Sequence, residues 1–130
     1  MRRGTRQAVF LPLTIRASCG RNAEMTSLIL THHGTGTAVD VANILPLIDD
    51  ESAGAVAYDP LKHRWNVTFD PPLFIPSCSS VLMTIIGDIP TRARPLGDHQ
   101  VTVDMSAHVG AVSASVGGDF PIRGPLYRVR

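Results

Sequence analysis

The segment Arg64-Trp65-Asn66-Val67-Thr68-Phe69-Asp70 alternates apolar and polar side chains without a break after its first residue. On an extended chain Trp65, Val67 and Phe69 share one face, and Asn66, Thr68 and Asp70 share the other. A helix would scatter these residues around its axis, so a period of two commits the segment to a half-buried strand. The period returns in Gln100–Val109. Val101, Val103, Met105, Ala107 and Val109 point one way there, and Thr102, Asp104, Ser106 and His108 the other. Eleven glycines and ten prolines interrupt the chain between such runs. Lys62 is the only lysine, and Glu24 and Glu51 are the only glutamates, so the residues that usually coat helices are scarce. The chain is therefore expected to be all-β.

Further extended segments follow from the same reasoning. Thr26–Thr31 and Ala53–Tyr58 are short apolar runs bounded by turn residues. Ser80–Ile86 is apolar on both faces and is expected at the centre of a sheet. Pro71 and Pro72 cannot donate to a central ladder, so the chain should bend or move to an edge after Asp70. Val39–Ile48 is open between two helical turns and an extended piece. Val112, Ala114 and Val116 continue a strand beyond Gly110, and Phe120–Val129 is a last extended segment. About eight strands separated by turns define a β-sandwich or jelly roll. A chain of 130 residues is one domain by size and buries enough surface for a core of its own.

Charge divides the chain. Residues 1–24 carry Arg2, Arg3, Arg6, Arg16 and Arg21 against Glu24, a balance of +4. Residues 25–120 carry ten carboxylates against Lys62, Arg64, Arg92 and Arg94, a balance of −6. Arg123, Arg128 and Arg130 make the last ten residues +3. We read residues 1–24 as an extended basic N-terminal arm and residues 25–130 as the sandwich domain, with Met25 a candidate internal start. Arginines first, an apolar stretch and no acid before Glu24 give the arm some traits of a targeting segment, but Arg16 interrupts the apolar run. Arg2, Arg3, Arg6, Arg16, Arg21, Arg123, Arg128 and Arg130 are the candidate contacts to an acidic neighbour or to nucleic acid. No apolar run is long enough for a transmembrane helix.

Two short strings point to chemistry. His33-Gly34-Thr35-Gly36-Thr37 and Pro76-Ser77-Cys78-Ser79-Ser80 resemble the histidine loop and the nucleophile segment of thiolase-like condensing enzymes. Their order is reversed relative to that family, and the chain is far shorter than the two to three domains such a fold needs. The glycines of the first string are better read as a turn. The remaining histidines, His32, His63, His99 and His108, show no HxH or HExxH spacing, and no CxxC exists, so no metal or cofactor site is read. Asp49-Asp50-Glu51 lacks the alternating ligands of a calcium loop. Asn66-Val67-Thr68 matches a glycosylation sequon but lies in a strand. Cys19 and Cys78 are too few for a disulfide framework and read as small, buried, reduced side chains. An enzyme would need His33, Asp40, His99 and Asp104 to meet in one cleft.

The stretch Trp65–Pro90, WNVTFDPPLFIPSCSSVLMTIIGDIP, runs from a Trp-led strand through a proline-bounded piece to a long apolar strand ending in Ile-Pro. It resembles segments of small β-sandwich or jelly-roll virion proteins of the minor capsid, penton or spike type. The resemblance covers about a fifth of the chain. It implies a non-enzymatic structural subunit in a virion, with the arm and the C-terminal tail tying copies of itself and other structural proteins together. The alternative is a cytoplasmic β-sandwich module for a carbohydrate or other small ligand, using the loops at Thr31–Asp40 and Thr91–Gln100.

Overall fold

The computed structural model describes residues 1–130 as two antiparallel sheets packed face to face. The strands are β1 (Ala8–Ala17), β2 (Ala23–His33), β3 (Ala42–Ile48), β4 (Glu51–Ser52), β5 (Ala55–Asp59), β6 (Arg64–Ile75), β7 (Ser80–Asp88), β8 (Asp98–Val103), β9 (Val109–Val112), β10 (Ala114–Val116), β11 (Ile122–Arg123) and β12 (Tyr127–Arg128). Sheet I has the order β10-β1-β7-β3-β4. Sheet II has the order β11-β8-β2-β6-β5, with β9 also on β2 and β12 also on β8. Two 3₁₀ turns, Ala38–Asp40 and Ser106–His108, are the only helical pieces.

The alternation in β6 survives intact. Trp65, Val67 and Phe69 are buried, and Asn66, Thr68 and Asp70 are exposed. The prolines do not end the strand, but past Thr68 it becomes an edge, as expected, because β5 pairs with β6 only over Arg64–Thr68. β6 runs on to Ile75 with β2 alone beside it, and its pairing with β2 jumps from Thr68 to Leu73. Pro71 and Pro72 occupy the skipped positions, where no ladder donor is required. β7 lies at the centre of sheet I, between β1 and β3, as its two-sided apolar pattern implies. Val39–Ile48 resolves into one 3₁₀ turn followed by extended chain.

The period fails after Val103. Met105 and Ala107 are exposed and His108 is buried, because a 3₁₀ turn at Ser106–His108 resets the phase. Val112 and Ala114 do not belong to one strand either. Ser113 adopts φ +58°, and the chain crosses there from β2 in sheet II to β1 in sheet I.

The basic arm is corrected most. Residues 8–17 form β1, hydrogen-bonded to β7 on one side and β10 on the other. A register shift between Val9 and Leu11 is a bulge, and it lets the consecutive Phe10 and Leu11 both face inward. With Leu13, Ile15 and Ala17 they join one core with Met25, Leu28, Leu30, Trp65, Val67, Met83, Ile85, Val101 and Val103. Each such buried side chain contributes about 1.5–3 kcal/mol. Residues 1–24 are part of the domain, and a chain starting at Met25 would lack a central strand of sheet I.

The cysteines are corrected too. Both are exposed, and they form a disulfide. The β1–β2 and β6–β7 connections each cross from one sheet to the other at the same end of the sandwich. Residues 59 apart in sequence therefore meet there with Cα atoms 4.3 Å apart. Hydrogen bonds finish the joint: Gly20 N donates to Ser77 Oγ (2.8 Å), and Ser77 N donates to Asn22 Oδ1 (3.0 Å).

Candidate functional site

The end of the sandwich opposite the disulfide is built from both chain termini and three loops. Gly4 N donates to Ile89 O (2.7 Å) and Ile89 N to Thr5 O (2.8 Å), which fixes the N-terminal residues against the loop after β7. Arg130 N donates to Met1 O (2.8 Å), and the Met1 amine donates back to Arg128 O (2.5 Å). Leu96 N and Val129 O are 2.8 Å apart, and Val129 N donates to Gly97 O (2.9 Å). Tyr127 ties this corner to sheet I: its hydroxyl donates to Val9 O (2.7 Å) and its ring meets Phe10 edge-on at 5.4 Å.

These contacts gather Arg2, Arg3, Arg6, Arg92, Arg94, Arg128 and Arg130 at one pole, all exposed. The carboxylates nearby are already occupied. Asp88 accepts from Asn43 Nδ2 and from Gln7 N, both at 2.8 Å. Those bonds, with the field of Arg6, hold its carboxyl below the usual range. Asp98 accepts from Arg128 Nε at 2.9 Å, which lowers the acid and raises the guanidinium. Asp40 is buried and accepts from Arg94 N (3.1 Å) and Thr37 Oγ1 (3.4 Å). Of the seven arginines only Arg128 makes an ion pair. The pole therefore offers six guanidinium groups that make no contact ion pair in the molecule.

Beneath the pole lies a buried histidine pair. His32 Nε2 and His99 Nδ1 are 2.8 Å apart, with one hydrogen between them, and His32 meets Trp65 edge-on. His99 is fully buried and its Nε2 has no partner. The Gly34–Gly36 loop closes over this ring. Gly36 N donates to Asp98 O (3.0 Å), Asp98 N donates to Thr35 Oγ1 (3.1 Å), and a Cβ on Gly36 would collide with the His99 imidazole. Burial, then the neighbouring His99, lowers the His32 pKa to about 4. Burial lowers His99 as well, against the opposing fields of Asp40 and Asp98. Both rings are neutral at pH 7 and act as a polar plug.

The strings that resembled a condensing enzyme are at opposite ends of the molecule. His33 is on the outer face of sheet II, 3.0 Å from Asp104, whereas the Cys78 thiol is consumed in the disulfide. His33, Asp40, His99 and Asp104 do not share a cleft: the His33–Asp104 pair is outside sheet II and His99 is inside the fold. No group of three or more His, Cys, Asp or Glu side chains is placed to hold a metal ion. The loops at Thr31–Asp40 and Thr91–Gln100 do meet, but His99 and their mutual hydrogen bonds fill the space between them.

Of the eight arginines named from sequence, Arg2, Arg3, Arg6, Arg128 and Arg130 converge on the pole. Arg16 and Arg21 lie at the disulfide end, and Arg123 lies on β11 beside a polar hollow shared with His33, Thr102 and Asp104. Arg92 and Arg94 were not singled out from sequence. Their only signal was two arginines within a proline-bounded loop. The result is a two-sheet antiparallel sandwich with a cationic pole. No protein-family model matches this chain, nor does any curated protein or solved structure. No helix is long and apolar enough to cross a membrane.

Proposed function

We propose that this chain is a non-enzymatic structural subunit of a larger assembly, a capsid or virion protein that grips an acidic neighbour with its arginine pole. One observation carries the reading. Six unpaired guanidinium groups sit on a rigid platform in which both termini are hydrogen-bonded, so little ordering entropy is lost when a polyanionic surface docks. The exposed disulfide supports a particle surface over the cytoplasm, because such bonds persist on virions and outside cells and are rare in the cytosol. Asp49, Asp50 and Glu51, exposed on the same molecule, supply an acidic surface that another copy could present, and nucleic acid is the other polyanion of suitable charge.

The test is a variant with Arg2, Arg3, Arg6 and Arg130 all changed to Gln. These side chains are exposed, so the fold should be kept. Retention of both proteins on immobilised polyglutamate and on duplex DNA is measured across a salt titration. The expected result is retention of the native chain that falls with salt, and at least tenfold weaker retention of the variant. Equal retention of the two proteins would overturn the reading.

A second reading has one observation in its favour. A cleft of about 400 Å³ opens between the edges of the two sheets, lined by Val39, Val41, Ile44, Tyr58 and Trp65 with Arg92 at the rim. Its size and apolar lining suit a small ligand with an anionic end. Quenching or enhancement of Trp65 fluorescence by a medium-chain carboxylate, absent in Tyr58→Ala, would favour this module over a purely structural part.

A further inference from the structure

The two sheets differ on their outward faces. Sheet II presents Glu24, Thr26, Asn66, Thr68 and Gln100, a mostly polar surface whose exposed apolar residues, Phe74 and Val112, flank Glu24 at one end. Sheet I presents Val9, Leu45, Leu47, Leu82 and Ile86. Leu82 is 59% and Val9 42% exposed, Leu45 and Leu47 are half-buried, and Ile86 is already covered by its neighbours. An antiparallel sheet that faces solvent normally alternates apolar-in with polar-out, and sheet I breaks that rule along its central strand.

We infer that the outer face of sheet I is the contact between two copies of this chain, packed about a two-fold axis along β7. This deepens the reading above, in which copies of the chain are partners. The register carries the argument. Val9 and Leu45 both stand opposite Ile86, on either side of β7. Pro12 and Leu47 both stand opposite Thr84. Half a turn about β7 therefore lays Val9 of one copy on Leu45 of the other, and Pro12 on Leu47. Leu82, exposed on the axis, meets its own counterpart.

The charges match under the same operation. Arg16 on β1 stands opposite Ser80. On the other side of β7, Ile48 stands opposite Met83 and the chain then turns through Asp49 and Asp50. Arg16 of one copy thus arrives beside Asp49 and Asp50 of the other, twice in the pair. Asp49 and Asp50 also reach over the face, since they line a shallow concavity of about 370 Å³ with Val9, Leu47 and Leu82. An isologous contact requires a self-complementary patch, and apolar residues on both flanks of β7 with opposite charges at Arg16 and Asp49–Asp50 supply one. The strands of sheet I, of 10, 9, 7, 3 and 2 residues, give a footprint of roughly 500 Å² per copy, below the roughly 800 Å² of a standard pair and in the range of a weak one.

The experiment is a mass measurement by sedimentation equilibrium on the whole chain, with far-UV circular dichroism confirming the fold of each variant. The native chain should be a dimer with a dissociation constant in the micromolar range. Leu82→Glu should give a monomer, and Arg16→Glu should weaken the dimer at least tenfold. Asp50→Arg added to Arg16→Glu should restore most of the loss. Thr68→Glu, on the outer face of sheet II, should leave the mass unchanged. A native monomer overturns the inference, while polyanion retention by the arginine pole decides the earlier reading separately. A native dimer that survives Leu82→Glu and Arg16→Glu overturns this face alone. If Leu82→Glu fails to fold, the charge-swap pair decides: no rescue by Asp50→Arg sinks the two-fold arrangement.

Discussion

The two ends of the sandwich are closed by different chemistry. At one end a single covalent bond, Cys19–Cys78, joins two connections that cross between the sheets, and the side chains around it are exposed and polar. At the other, the closure is entirely non-covalent: a buried His32–His99 pair, glycine loops fitted over it, and two termini bonded to one another. A staple that does not titrate responds to reductant and ignores pH. A desolvated imidazole pair does the reverse. The fold therefore has two independent points of weakness, and the charged surface we assign to docking lies over the one sensitive to acid.

The largest effect should come from breaking the staple. The double change Cys19→Ser with Cys78→Ser releases a crosslink spanning 59 residues. Chain-entropy reasoning puts the loss at about 4 kcal/mol, read as a fall in the denaturant midpoint. Amide exchange should accelerate around residues 18–22 and 76–79 and stay unchanged at the arginine pole. Exchange that rose equally at both ends would erase the contrast.

Acid should do the opposite. The folded pKa of His32 is depressed to about 4 from 6.5. The unfolded chain takes up a proton as pH falls below about 6.5 while the fold does not, so stability is full above that point and declines towards pH 4. The decline should be about 2–3 kcal/mol, allowing for partial solvation of the ring. Asp88, Asp98 and Asp104, held low by their hydrogen bonds, add their losses only below the ordinary carboxylate range. In His32→Leu the slope between pH 6.5 and 4 should flatten; an unchanged slope would assign the acid sensitivity elsewhere.

Gly36→Ala tests the fit of the loop over His99. The added methyl has no room, so the loop must lift, at about 1–3 kcal/mol. The change should sharpen the contrast by speeding exchange at residues 34–41 and 97–99 alone. The smallest effect belongs to Asp98→Asn. Its pair with Arg128 is exposed, so the thermal midpoint should barely move, while one more guanidinium is freed and polyanion retention should rise slightly.

The sheets were legible where each residue reports its own surroundings. Trp65, Val67 and Phe69 alternate with Asn66, Thr68 and Asp70, and β6 buries one set and exposes the other. Ser80–Ile86 is apolar on both faces, and β7 is central. The reading failed where a backbone irregularity reset the phase, at the 3₁₀ turn before Val109 and the crossing at Ser113. One displaced residue inverts every side chain that follows it. Charge misled in another way. The arginines of residues 1–24 suggested a detached arm, yet four of them flank, and Arg16 lies on the outer face of, a strand whose five inward residues are fully apolar.

Composition and period alone determined that this chain is all-β, with one core, with β6 half-buried and with β7 central, because burial acts on each side chain along its own strand. The pairing of Cys19 with Cys78, the meeting of His32 with His99 and the gathering of arginines 2–6, 92–94 and 128–130 were decided only by tertiary structure. Those neighbours are separated by dozens of residues, and the order in which strands cross between two sheets sets which loops share an end. Local sequence carries no record of that order.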